Sequence, residues 1–144
     1  MFASTSAKPD RPGTKDSVAQ IAESRVFCVN IADAALREQV NASSAPLPAG
    51  VSEFQHAGIE AAECETIDCP RVAGAAASLE CRMTRVIRLA GEANVMVLGV
   101  VTGIHLRPDC VESGVFRPPS GWLSRLGHKD YAATTQTFQM ERPA

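Results

Sequence analysis

Several things are missing from this chain of 144 residues, and each absence removes a class of function. The longest apolar run, Val95 to Val101, is seven residues broken by Gly99. A membrane-spanning helix needs about 20. Fourteen basic and 16 acidic residues are spread along the chain, so no cationic stripe exists of the kind that nucleic-acid phosphates require. Lys8, Asp10, Arg11 and Pro12 interrupt the N-terminal apolar stretch before a secretory h-region could form, and a cytoplasmic protein is the simpler expectation. The five cysteines contain no C-x-x-C pair and no histidine at ligand spacing, which argues against a metal site. They read as reduced and structural, Cys28 and Cys81 as small hydrophobes on strands and Cys64 and Cys69 in a loop. His56, His105 and His128 lie far apart and no nucleophile elbow is present, so hydrolase chemistry has no support and no catalytic side chain is assigned. His105 reads as a packed strand histidine.

What remains fits one domain over residues 1–144, mainly β with short helices. Thr14 is placed to cap a helix carrying Val18, Ile21 and Ala22 at helical spacing, because Pro12 and Gly13 forbid an earlier start. "RVFCVNI" then predicts a strand from Arg25 to Ile31. Asp33 is expected to cap a second short helix carrying Leu36 and Val40, ended by "NASSAPLPAG". "VSEFQHAG" allows one helical turn, and "AAECETIDCPRVAGAAA" reads as irregular chain with short extended pieces.

The strongest signal is "SLECRMTRVIRL", where Leu79, Cys81, Met83, Ile87 and Leu89 alternate with Ser78, Glu80, Arg82 and Thr84, the period of a half-buried strand. Across a turn at Gly91 and Glu92 comes "NVMVLGVVTGIHL", apolar on both faces and therefore central, with Gly99 and Gly103 marking bends or bulges. From Arg107 to Ala144 the prolines and glycines predict an irregular extension with one short strand near Val115.

One feature points to a ligand. Ser4, Thr5 and Ser6 supply hydroxyls, Lys15 a point charge, and the amides of Asp16, Ser17 and Val18 would open from a helix N-terminus, where anions bind. A phosphate cradle and a plain helix cap are both consistent with this pattern.

Taken together, "GTKDSVAQIAESRVFCVNI", "NASSAPLPAGVSEF" with Ala-Gly after it, "LECRMTRVIRL", "VMVLGVVTGIHL" and "LSRLGHKDYAATTQTFQM" resemble, in order and spacing, the flavin reductase-like family with its FMN-binding split β-barrel of Greek-key type. The resemblance covers about residues 4 to 140. It implies that Ser4, Thr5, Ser6, Lys15, Asp16 and Ser17 surround the FMN phosphate. It implies further that the loop at Asn41, Ser43 and Ser44 approaches the flavin or a dimer partner, and that Arg125 and Tyr131 lie near the cofactor. Ser17, Gln20 and His128 depart from the residues usual there, which are Thr, Asn and Gly. Family members share upstream strands that form part of the barrel, so "MFASTSA" resembles the last strand of that segment and an N-terminally incomplete barrel is expected. The implied activity is hydride transfer from NAD(P)H to FMN, with FAD as the alternative flavin, in a homodimer. The rival expectations are a flavin-holding electron carrier and a truncated paralogue that dimerises without flavin.

Overall fold

In a computed structural model, residues 1–5, 15–48 and 50–143 are described. Four strands form one antiparallel sheet in the order β1-β6-β5-β2: β1 (Phe2–Ser4), β2 (Val26–Ile31), β5 (Ala77–Arg88) and β6 (Val95–Leu106). The alternation seen in the sequence sets this register. Phe27 pairs with Cys81 and Phe2 with Val97, so every second residue of four strands points to one side. There Phe27, Cys81, Met83 and Val97 are buried together with Ile21, and Phe2, Val29 and Leu79 pack against them. The Phe2 and Phe27 rings meet edge to face, centroids 5.6 Å apart.

Ile21 comes from helix α1 (Asp16–Ser24), whose other buried residue is Val18, three positions earlier on the same stripe. Arg25 ends α1 in the left-handed conformation (φ 64°), its amide bonded to the Ile21 carbonyl, and the chain turns straight into β2. Thr14, read as the cap, lies outside the described residues; Lys15 occupies the N-cap position.

Two register shifts curl the sheet, with Thr102 the extra residue in β6 and Thr84 the extra residue in β5. Both glycines of β6 have a packing reason. A Cβ on Gly99 would stand 2.8 Å from Phe27 Cζ and 2.9 Å from the Arg82 carbonyl oxygen, and one on Gly103 would stand 3.0 Å from the Glu80 carboxyl carbon. β6 is central, as expected, but its apolar residues are not all covered. Val101 and Ile104, which face the same side as Cys81 and Leu79, remain 47% and 63% exposed.

Beyond β2, Ala34–Leu36 form a 3-10 turn leading into α2 (Arg37–Ala42), and α3 (Glu53–His56) is the single turn expected. The extended pieces of the following loop are β3 (Ala61–Ala62) and β4 (Arg71–Val72), paired with each other. The C-terminal segment is more regular than its prolines and glycines suggest. After the small ribbon β7 (Val111–Glu112) and β8 (Val115–Phe116), a hairpin forms from β9 (Trp122–Gly127) and β10 (Asp130–Thr134), turned by Gly127 at φ 117° and His128 at φ 47°. The irregular extension expected over 107–144 is therefore corrected for these spans. Among the described residues no helix is long and apolar enough to cross a membrane.

Candidate functional site

The second side of the sheet carries Cys28, Asn30, Ser78, Glu80, Gly103 and His105, joined by the cross-strand pairs Cys28–Glu80, Asn30–Ser78, Glu80–Gly103 and Ser78–His105. The alternation suggested an open polar face. Instead Ser78 and Glu80 are buried, because residues 63–72 fold across them. The loop is fastened through its own amides. Glu80 Oε1 accepts from the Glu65 amide at 2.7 Å, and Oε2 accepts from the Thr66 amide and the Thr66 hydroxyl, each at 2.6 Å. His105 Nε2 completes the shell on Oε1. Arg82 donates to the Thr66 carbonyl at 2.5 Å, and Asn30 Oδ1 accepts from the Val72 amide at 3.0 Å and the Ser78 hydroxyl at 2.8 Å. Each partner matters because a buried carboxylate is tolerated only when its lone pairs are filled. Burial raises the Glu80 pKa, but the Thr66 hydroxyl, the Glu65 amide, His105 and the Thr66 amide outweigh it and hold the group well below the usual carboxylate range. His105 is a packed strand histidine, as expected, and its ring is spent on Glu80.

A second rivet joins distant parts of the chain. Asp33, fully buried, accepts from Arg107 Nη2 at 2.6 Å, while Arg107 also donates to Asp109 at 2.6 Å and to the Gly74 carbonyl at 2.7 Å. Asp33 therefore does not cap with its side chain; its backbone carbonyl takes the Leu36 amide. The bond from the Ala34 amide to Gly121 and the bridge between Asp33 and Trp122 hold the β9–β10 hairpin beside α2.

Of the residues assigned to a phosphate, Lys15, Asp16 and Ser17 sit at the start of α1. Lys15 and Ser17 are exposed there, and Asp16 lies in the first turn. The Val18 and Ala19 amides both bond to the Lys15 carbonyl, at 3.0 and 3.1 Å, so Val18 does not contribute the open donor that was expected. Thr5 is exposed, Ser4 is buried in β1 opposite Val95, and Ser6 lies outside the described residues. The remaining assigned residues cluster at the other helix. Asn41 and Tyr131 line one groove of about 320 Å³ between α2 and the hairpin, together with Arg37, Lys129 and Ala132. Arg125 stands over the Tyr131 ring, 5.9 Å from its centroid, on the paired strand. Ser43 and Ser44 turn inward to the chain, their hydroxyls bonded to the carbonyls of Val40 at 3.0 Å and Asn41 at 2.7 Å. Ser43 lines a smaller apolar cleft of about 190 Å³ with Asn30, Gln39 and Ile59. Among the described residues the Lys15–Ser17 set opens α1, whereas the Asn41–Tyr131 groove lies between α2 and the β9–β10 hairpin. No group of three or more His, Cys, Asp or Glu among them is arranged to hold a metal ion.

The sequence model of the flavin reductase like domain matches residues 6–119. The chain belongs to this family. An uncharacterized protein of Halalkalibacterium halodurans is 32% identical over 97% of this chain and 69% of its own length. One of Deinococcus radiodurans is 33% identical over 89% of this chain and 58% of its own. The solved component B of nitrilotriacetate monooxygenase from Bacillus cereus superposes with a TM-score of 0.85, at 27% identity, over 96% of this chain and 69% of that one. The chain thus spans about six- to seven-tenths of the length of these relatives. Its curled antiparallel sheet is a flavin reductase split-barrel sheet.

Two buried carboxylates, Glu80 and Asp33, were missed by sequence reasoning. Glu80 occupies the polar phase of a half-buried strand and looks solvated until the loop that covers it is known. The partner of Asp33 lies 74 residues away.

Proposed function

We propose that the chain is a flavin-dependent oxidoreductase that binds FMN non-covalently and receives hydride from NAD(P)H, acting as a homodimer in the cytoplasm. The observation that carries this reading is the family match over residues 6–119. The likeness to a monooxygenase component supports it. The residues present suit the group chemically. The exposed Lys15 ammonium and the hydroxyls of Ser17 and Thr5 are donors for a phosphate dianion, and the positive end of α1 favours the same charge. The groove holding Asn41, Lys129 and Tyr131 offers an aromatic face with amide and ammonium donors, the mix that a flat heteroaromatic ring with a polar rim requires. Bound flavin supplies the hydride-accepting chemistry, so this chain needs no acid–base pair, only residues that hold the phosphate and flank the ring. Arg125 keeps the Tyr131 ring in place from the neighbouring strand.

The exposed side chains of Val101 and Ile104 on the core-facing side of the sheet favour the homodimer, because a second apolar surface there would remove them from water. Light scattering on the purified chain is expected to give twice the monomer mass; a monomer at micromolar concentration would remove this part of the reading.

Replacing the charge at Lys15 tests the phosphate assignment. Lys15→Ala is expected to weaken FMN by about 10- to 100-fold, the worth of one charge-assisted hydrogen bond, and to leave riboflavin, which has no phosphate, unchanged. Equal loss for both ligands would make Lys15 structural. NADH and NADPH oxidation by the flavin-loaded protein tests the hydride step, and flavin reduced by a partner protein but by neither nucleotide would favour an electron carrier.

A further inference from the structure

Three of the five thiols are brought together by the loop that covers Glu80. Cys28 on β2 faces the same side as its cross-strand partner Glu80. Glu80 binds the amides of Glu65 and Thr66, which brings the adjoining Cys64 to that side of the sheet, and the other end of the loop is held near the same strand by the bond from the Val72 amide to Asn30. The Cys28 thiol lies within electrostatic reach of the Cys64 and Cys69 sulfurs and donates to Asn30 Oδ1 at 3.9 Å. Cys69, its thiol directed to the Pro70 carbonyl, lines with Cys64 an open cleft of about 410 Å³ through which a small oxidant can enter. All five cysteines are free.

We infer that Cys28 and Cys64 form a dithiol site that a peroxide oxidises to an intramolecular disulfide, fastening the 63–72 loop to the edge strand β2. The direction of attack follows from access. Cys64 lines the open cleft and Cys28 does not; burial and the neighbouring Cys64 sulfur push the Cys28 thiol up to about 12, so Cys28 stays protonated, and burial raises Cys64 as well. Cys64 is therefore the first nucleophile. Its sulfur attacks one peroxide oxygen, the O–O bond breaks, and the departing oxygen leaves as water with the Cys64 proton, giving a sulfenic acid. The Cys28 sulfur then attacks the Cys64 sulfur, the S–O bond breaks, and a second water leaves with the Cys28 proton. Two thiols lose two electrons and two protons, and one peroxide becomes two waters. The elevated pKa values make the first step slow at neutral pH, and the second step is intramolecular.

The full chain, treated with excess hydrogen peroxide and digested under non-reducing conditions, is expected to yield the peptides of Cys28 and Cys64 linked and to release them on reduction. Cys69→Ser retains the linked pair; Cys64→Ser loses it, with circular dichroism confirming the fold. Hydrogen exchange at Thr66 slows several-fold in the oxidised wild type. A link between Cys64 and Cys69, a link between two copies of the chain, or peroxide leaving both thiols alkylatable would each overturn the assignment.

Discussion

Phe27→Ala is expected to lower the unfolding free energy by about 3–5 kcal/mol, the usual range for emptying a buried aromatic site. Phe27 is buried at the centre of the cluster formed by Ile21, Cys81, Met83 and Val97. Its ring meets Phe2 edge to face, and its Cζ stands 2.8 Å from where a Cβ on Gly99 would be. No neighbour can collapse into the gap without moving a strand, because the cluster draws on α1, β2, β5 and β6. A domain of ordinary stability, about 5–15 kcal/mol, would keep only a thin margin after such a loss. Urea unfolding followed by fluorescence reads the effect, and a midpoint shift corresponding to less than about 1 kcal/mol would show that the core closes over the site.

Glu80→Gln is expected to free the 63–72 loop and to flatten the acid limb of the stability curve. The carboxylate accepts from four donors, and an amide can offer only one oxygen in place of two, setting its own N–H₂ against donors that already point inward. The pH dependence follows from the depressed pKa in the folded chain. The unfolded chain takes up a proton near the ordinary value of 4.5 and the folded chain does so only at lower pH. The Glu80 contribution is therefore complete above that value and is lost as pH falls through the folded pKa. In the Gln variant this part of the slope disappears, and amide exchange at Glu65 and Thr66 accelerates. An unchanged urea midpoint at neutral pH together with an unchanged acid slope would mean that the loop is held by something else.

Much of the framework was legible because it is written in local periodicity. The alternation from Leu79 to Met83 set the face of β5, the spacing of Val18 and Ile21 set the buried stripe of α1, and Gly99 and Gly103 fell beside the two bulges of the central pair. Periodicity could not disclose that a loop without period of its own would dock on the polar face and turn Glu80 from a solvated residue into a buried anchor. Nor could it link Asp33 to Arg107, since their pairing depends on where two distant segments end. The β9–β10 hairpin was obscured for a different reason. Pro118, Pro119, Gly121 and Gly127 look like continuous breakers, yet they flank Trp122–Gly127 and shape its turn rather than interrupt it. Of the residues assigned to a cofactor, Lys15–Ser17 open α1 and Asn41 and Tyr131 line one groove, while Ser43 and Ser44 spend their hydroxyls on the end of α2.

The measurement that bears most directly on the central claim is a titration of the purified full chain with FMN and, separately, with riboflavin, followed by flavin fluorescence. Saturable quenching by one FMN per chain, with riboflavin bound at least ~10-fold more weakly for want of a phosphate, is the expected result. No change with either flavin, or identical affinity for both, would contradict a phosphate-holding role for the start of α1.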